Sequence, residues 1–358
     1  MLKGNKGEWS EIYTLLKLIA DGEMLKGDGQ LLPIPGNNYK IIGLERSEAT
    51  TGITSYIIKG GSVKINNSTT STTRERATFR SQATKLLEVI KSQAGTFEIP
   101  STEQFLNEIL TYSIKARSQD KTDLKVEIHD HRTSVEHTRG FSIKSQLGSP
   151  STLLNASQQT VFRYKLENLT QLQADDINSI STRGAIVARV QALSALSNVR
   201  VVPAGPKSKT LSYNLRLMDD ALPDIVNSLL WNFYQHNAAK LDELLPHISN
   251  QNTRSYQPQG KELLYSTKLK RLLVSAALGM KPAQRWDGHY DANGGYLIVL
   301  NSGDIISYHI YDKEDFESYL FHNTKLDTPS TSRYSTGAVF NLDGDYFIDL
   351  GLQIRFCV

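Results

Sequence analysis

The stretch GFSIKSQLG, residues 140 to 148, decides the fold. Phe141 and Ile143 fall on one face of a two-residue alternation, while Ser142, Lys144 and Gln146 fall on the other. That period is the signature of a half-buried strand. Upstream, LKVEIHD at residues 124 to 130 repeats it: Leu124, Val126 and Ile128 share one face, and Asp123, Lys125 and Glu127 the other. A polar turn through His131 to Gly140 joins the two runs into a hairpin. With the turn centred near residue 135, Lys144 lies nearly opposite Lys125 and within diagonal reach of Asp123. An acid and a lysine therefore converge on the polar side of an otherwise apolar hairpin. Such a pair suits phosphodiester hydrolysis. The carboxylate holds Mg2+ against a phosphate oxygen, while the lysine orients the attacking water and stabilises developing negative charge. From spacing alone, a surface salt bridge is the simpler reading.

Outward from the hairpin the elements come in mixed order. Helices are expected over residues 5–21, 74–91, 102–116, 182–196, 219–248 and 260–278. Strands are expected over 39–44, 55–59, 62–65, 161–166, 198–202, 211–217, 296–300, 305–311, 338–342 and 346–356. This order predicts an α/β (α+β) fold. The chain has 358 residues, 39% of them hydrophobic, enough for two cores. Gln251 to Gly260 is the expected linker, dividing residues 1–250 from 260–358.

Composition narrows the function classes. A single cysteine, Cys357, excludes a disulfide framework and a cysteine-ligated metal cluster. No run approaches the roughly 18 apolar residues of a membrane span. The first residues are too charged for a secretory signal, so a cytoplasmic location is expected. His129, His131 and His137 are too irregularly spaced for a zinc site, and no phosphate-cradling GxxxxGK[ST] loop is present. The formal net charge of +3 is nearly neutral, but residues 59–91 and 254–285 are both rich in Lys and Arg. They fit polyanion-facing surfaces, but on charge alone ordinary solvated helix faces are the favoured reading.

Asp123, a strand, a polar turn and then Ser142-Ile143-Lys144 resemble the PD-(D/E)XK nuclease core, whose acid opens one strand and whose acid-x-lysine motif lies on the next. Thr122 stands where that pattern has proline, and Ser142 where it has its second carboxylate. GNKGEWSEIYTLLKLIADGE at residues 4–23, GFSIKSQLGSPSTLLNAS at 140–157, and LDTPSTSRY with LGLQIRF near the C-terminus together resemble the HpaII family of type II restriction endonucleases. These segments lie at both ends and in the middle of the chain. The resemblance implies a mixed β-sheet core flanked by helices, with an additional C-terminal α/β region for DNA recognition or dimerisation. It implies cleavage of double-stranded DNA at a short palindrome, CCGG for the family's namesake, with Mg2+. It also implies a homodimer on DNA and functional pairing with a separate DNA methyltransferase.

Serine is a poor metal ligand, so Ser142 leaves the implied catalytic group of Asp123 and Lys144 one acid short. On the N-terminal helix, Lys6, Ser10, Thr14, Lys17 and Asp21 gather into a polar arc opposite Trp9, Ile12, Tyr13, Leu16 and Ile19. Glu8 and Glu11 instead project from the packed side. A buried carboxylate is costly without a nearby cation, which makes both glutamates candidate metal ligands beside Asp123. An internal salt bridge or a favourable helix N-terminal acid explains them equally well. Asp130 ranks second to Asp123 as the strand acid. For DNA reading, Gln146, Asn155, Gln158 and Gln159 offer amides to base edges, and the forks of Arg163 and Arg333 suit guanine. Arg333 is the preferred specificity residue, although phosphate contacts outnumber base contacts in most interfaces. A catalytically silent DNA-binding protein on the same fold is the alternative that Ser142 favours.

Overall fold

Asn5 and Glu8 close a capping box at the start of helix Lys6–Asp21: the Glu8 amide donates to Asn5 Oδ1, and the Asn5 amide donates to Glu8 Oε2. Gly22 ends the helix at φ 67°, a left-handed position where a side chain would also meet Arg76. Arg76 and Arg80, from helix Arg76–Ser92, donate to the last carbonyls, Ile19 O and Ala20 O. Part of the basic surplus in residues 59–91 is thus spent inside the fold. The computed structural model describes residues 1–48, 51–115, 122–130 and 135–357.

The helix buries Trp9, Ile12, Leu15, Leu16 and Ile19. Two residues of its polar arc, Ser10 and Thr14, are also fully buried. Their hydroxyls bond back to carbonyls one turn earlier, Lys6 O and Ser10 O, which removes the cost of burying them. Ser10 also bonds Ser145 at 2.8 Å, fixing the helix against the end of strand Val135–Ser145.

That strand lies within a nine-stranded sheet among the described residues. The order is Glu23–Gly27, Ile305–His309, Gly295–Val299, Val135–Ser145, Leu124–Asp130, Pro33–Glu48, Gly52–Lys59, Ser62–Asn66 and Ser71–Glu75. Glu23–Gly27 also pairs with Pro33–Glu48, so the first six strands close on themselves. Pairing is antiparallel except where Gly295–Val299 runs parallel to Val135–Ser145, and Ile305–His309 parallel to Glu23–Gly27. The sheet is therefore mixed, and a mixed α/β architecture holds as expected.

These elements make up one compact unit, residues 1–151 with 290–319. The second is 152–289 with 320–357. It holds a four-stranded antiparallel sheet, Arg200–Pro206, Val161–Glu167, Asp345–Gly351 and Val339–Leu342, with helices that include Lys209–Met218 and Leu222–His236. Tyr164 joins sheet to helix, its hydroxyl donating to Asn227 O at 2.9 Å. The division does not fall at residues 251–260. That stretch connects helices Leu241–Gln251 and Lys261–Leu278 inside the second unit, tied down by Asn252 and Tyr256. Residues 211–217 form part of a helix and not a strand. LSYNLRL alternates, but Ser208 caps the segment, and Leu211, Asn214 and Leu215 are buried while Tyr213 and Leu217 are exposed. Two expected helices are shorter. The first ends at Glu108, and the stretch 219–248 is interrupted at Asn237, which is left-handed at φ 54°.

A buried ion pair ties strand Pro33–Glu48 to the segment leading out of helix Pro100–Glu108. Arg46 and Glu48 meet at 2.5 Å with side chains 1% and 0% exposed. Arg46 also donates to Ser113 O and Ile114 O, each at 2.7 Å, and Glu48 accepts from the Tyr112 amide and the Ser113 hydroxyl. Removing one partner leaves the other charge buried and uncompensated. Glu48→Gln is expected to lower the unfolding free energy by about 3 kcal/mol. Urea titration checks this, and a loss under about 1 kcal/mol would mean that the backbone carbonyls alone satisfy Arg46.

Candidate active site

Strands Leu124–Asp130 and Val135–Ser145 pair with Leu124 opposite Phe141 and Asp130 opposite Val135. The turn is thus centred earlier than residue 135. Gly140, not Lys144, stands opposite Lys125. Asp123 extends the ladder, its amide donating to Phe141 O at 2.9 Å. Its Oδ2 accepts the Ile143 amide at 2.7 Å and the Ser142 hydroxyl at 3.1 Å. Acid and lysine are still neighbours, but by a different register: Ser142 faces Asp123, and Lys144 follows two residues on along the same face.

Burial dominates the electrostatics of the pair. It pushes the Asp123 carboxyl up, against the opposing pull of Lys144, the Ile143 amide, Ser142 and the more distant Arg46. It pushes the Lys144 ammonium down, opposed by Asp123 and Glu11. Each group supports the charged form of the other in surroundings that favour neither. Both hydrogen bonds to Asp123 fall on Oδ2, leaving Oδ1 without a donor among the described residues.

Glu8, Glu11, Lys115 and Lys144 line one cleft of about 920 Å³. Asp123 is not part of its lining. Both glutamates are half-buried at the edge of the packed side, opening onto this cleft. Glu8 is already committed on both oxygens: Oε2 to the capping box and Oε1 to Lys115 at 2.7 Å. Burial works to raise its carboxyl, but Lys115 and the Asn5 amide outweigh that and hold it below the usual range. Glu11 acts electrostatically on both Lys144 and Lys115. No group of three His, Cys, Asp or Glu side chains able to hold a metal occurs among the described residues. The donor chemistry nevertheless fits Mg2+, which binds through one or two carboxylates and leaves its other positions to water and substrate phosphate. A half-buried carboxylate with an oxygen lacking a donor among the described residues is what such an ion relieves.

Asp130 is in the strand, but its side chain lies outside the described residues, as does His131. His129 stands 3.7 Å from Glu136, and the His137 ring lies among His309 and Tyr311. Gln146 belongs to the first unit, its amide oxygen accepting from the Asn301 amide at 3.3 Å. The remaining DNA candidates belong to the second. Asn155, Gln158 and Arg333 are exposed. Tyr334, in the short helix Thr331–Tyr334 with Arg333, donates to Ala156 O at 3.0 Å and joins that helix to the loop carrying Asn155 and Gln158. Gln159 accepts from Ser208 at 2.6 Å. Arg163 forks onto buried Asp349 at 2.8 and 2.9 Å. In residues 254–285, Arg254 pairs with Asp224, and Lys268 and Arg271 pair with Asp219. Sequence reasoning passed over Lys115, which follows a helix and carries no periodic signal, and Tyr296, treated only as one apolar residue of a strand.

A family model described as HpaII restriction endonuclease matches residues 5–356. The type II restriction enzyme HpaII of Haemophilus parainfluenzae is 41% identical over 360 residues, covering 99% of this chain and 98% of the relative. No solved structure matches. No helix among the described residues is long and apolar enough to cross a membrane.

The raised Asp123 carboxyl carries a stability consequence. Because its folded value lies above the unfolded one, ionising it costs folding free energy once pH exceeds the unfolded carboxyl range. The cost disappears in acid, where both states are protonated. Asp123→Asn is therefore expected to melt above the wild type at about pH 8 without divalent cations, the gap closing toward about pH 3. Thermal melts across pH check this, and a variant melting below the wild type at the higher pH would contradict it.

Proposed function

The chain belongs to the HpaII restriction endonuclease family, and on that premise we propose that it cuts both strands of double-stranded DNA at CCGG, using Mg2+ with Asp123 and Lys144. The observation that carries this reading is the juxtaposition of a half-buried acid and a half-buried lysine on neighbouring strands of a mixed sheet, with Glu11 acting on that lysine from the helix. This arrangement also supports a PD-(D/E)XK core. Ser142 occupies the second acidic position of that pattern and donates to Asp123.

Each side chain has a role its surroundings suit. Asp123 would help hold a divalent ion while its Oδ2 stays fixed by the sheet backbone. When bound, Mg2+ supplies positive charge against the scissile phosphate and a more acidic water. Lys144 orients the attacking water and stabilises charge developing on phosphate, where partial burial strengthens the interaction. Glu11 supplies the second carboxylate in place of Ser142. Glu8 takes part through its bond to Lys115 at the same cleft. Arg333, with Asn155 and Gln158, contacts the palindrome. Arg163, Gln159 and Gln146 hold the surrounding structure, since each already has an internal partner. A homodimer brings two sites to the two strands, a separate methyltransferase protects the host sequence, and the enzyme works in the cytoplasm.

Lys144→Ala is expected to lose cleavage by more than a hundredfold while keeping affinity for a CCGG duplex within about threefold, since it is one cation among many at the phosphates. Gel-shift and single-turnover assays measure the two. Cleavage within tenfold of wild type would remove Lys144 from the reaction. Wild-type protein that binds CCGG with Mg2+ but never cuts it would establish the catalytically silent alternative. Glu11→Gln is expected to raise the Mg2+ concentration for half-maximal cleavage several-fold. Glu8→Gln is expected to show chiefly a loss of about 1 kcal/mol in stability from the weakened cap. Unchanged metal dependence in both variants would exclude the glutamates from the metal site.

A further inference from the structure

Strand Gly295–Val299 runs parallel beside the lysine strand, with Tyr296 registered against Ser142 and Ile298 against Lys144. Tyr296 is 2% exposed. The Lys144 ammonium stands over its ring, 5.3 Å from the centroid. Phe316 meets the same ring at 5.3 Å and 62°, an edge-on contact that restrains it. The backbone leading into the strand is equally constrained. The Gly294 amide donates to Gly140 O at 2.7 Å. Gly295 sits at φ 112°, where a Cβ would come within 2.0 Å of Tyr308 O. The ring therefore has little freedom to leave the lysine.

We infer that Tyr296 is a positioning residue for cleavage, its aromatic face holding the Lys144 ammonium at the cleft. The inference rests on the role proposed for Lys144. A half-buried ammonium needs compensation for lost water, and three groups offer it: Asp123, Glu11 and the Tyr296 ring. The two carboxylates are also the proposed donors to a divalent ion, and charge they share with that ion is no longer available to the lysine. The negative face of an aromatic quadrupole is too weak a ligand for Mg2+ to draw away. It remains with Lys144 throughout the reaction. The phenolic hydroxyl plays no part in this holding, so phenylalanine should substitute and an aliphatic residue should not.

Four variants, one spectrum and a cleavage assay test it. In protein carrying 13C-labelled lysine, the Lys144 Hε resonance, identified by its absence from Lys144→Arg, is expected upfield of the other lysines through the ring current of Tyr296. That shift should persist in Tyr296→Phe and vanish in Tyr296→Leu. Single-turnover cleavage of a CCGG duplex is expected within about threefold of wild type for Tyr296→Phe and reduced about tenfold or more for Tyr296→Leu, with duplex affinity unchanged in both. An unshifted Hε resonance in the wild type overturns the inference even where Tyr296→Leu fails to fold. Wild-type cleavage by folded Tyr296→Leu, beside an inactive Lys144→Ala, overturns it while leaving the role of Lys144 standing. Wild-type cleavage by Lys144→Ala removes both.

Discussion

Two opposite charges held partly out of water, Asp123 and Lys144, are the constraint around which the first unit is arranged. Neither is comfortable alone, since burial drives the acid toward its protonated form and the lysine toward its neutral one. What keeps them usable is a set of fixed partners. The Ile143 amide and Ser142 hydroxyl meet Asp123 from the adjacent strand, and the Tyr296 ring meets Lys144 from the strand beyond. Each partner sits on a sheet ladder, whose register leaves little play. Loops would offer the same groups with less positional control.

Much of this was legible before any coordinates. Alternation in residues 124–128 and 141–147 predicts the hairpin, and parity alone separates Asp123 from Leu124 and Lys144 from Ile143. Where parity is silent, expectation and structure part. The position of the turn fixes which residues face each other, and a polar stretch gives no signal for it. Ser10 and Thr14 look solvated on a helical wheel but satisfy their hydroxyls on the helix backbone, so burial costs them little. LSYNLRL satisfies both a strand period and a helical face, and the Ser208 cap decides between them. Least visible was the contribution of residues 290–309. One of their strands enters the sheet beside residues about 150 positions earlier in the chain and the other beside residues about 280 positions earlier, pairings that no local pattern encodes.

Charge counts were the weakest guide, for a physical reason. Arginine forks are as well suited to carboxylates and helix-end carbonyls within the protein as to phosphates or guanine. Arg76 and Arg80 are spent on a helix terminus, Arg46 on Glu48, and Arg163 on Asp349. Asp349 also takes Lys207, so one buried acid absorbs two of the second unit's cations. The basic surplus available to a polyanion is accordingly smaller than the sequence suggests. Exposed Arg333 draws attention by contrast.

The serine at position 142 becomes intelligible at this scale. Its hydroxyl lies 3.1 Å from Asp123 Oδ2 and donates to it. A carboxylate there would replace a donor with a second negative charge, in surroundings where even one carboxyl is pushed upward. Like charges that close do not both ionise without a cation between them. Serine relaxes that demand, leaving Asp123 anchored by backbone and hydroxyl whether or not an ion is bound. On the proposed reading the second carboxylate comes from elsewhere, and Glu11 acts on Lys144 from a different element of the same unit. Moving an acid from strand to helix separates two tasks that the usual motif combines. In the proposed site the strand holds one carboxylate rigidly, and the helix brings the other to the cleft that Lys144 lines.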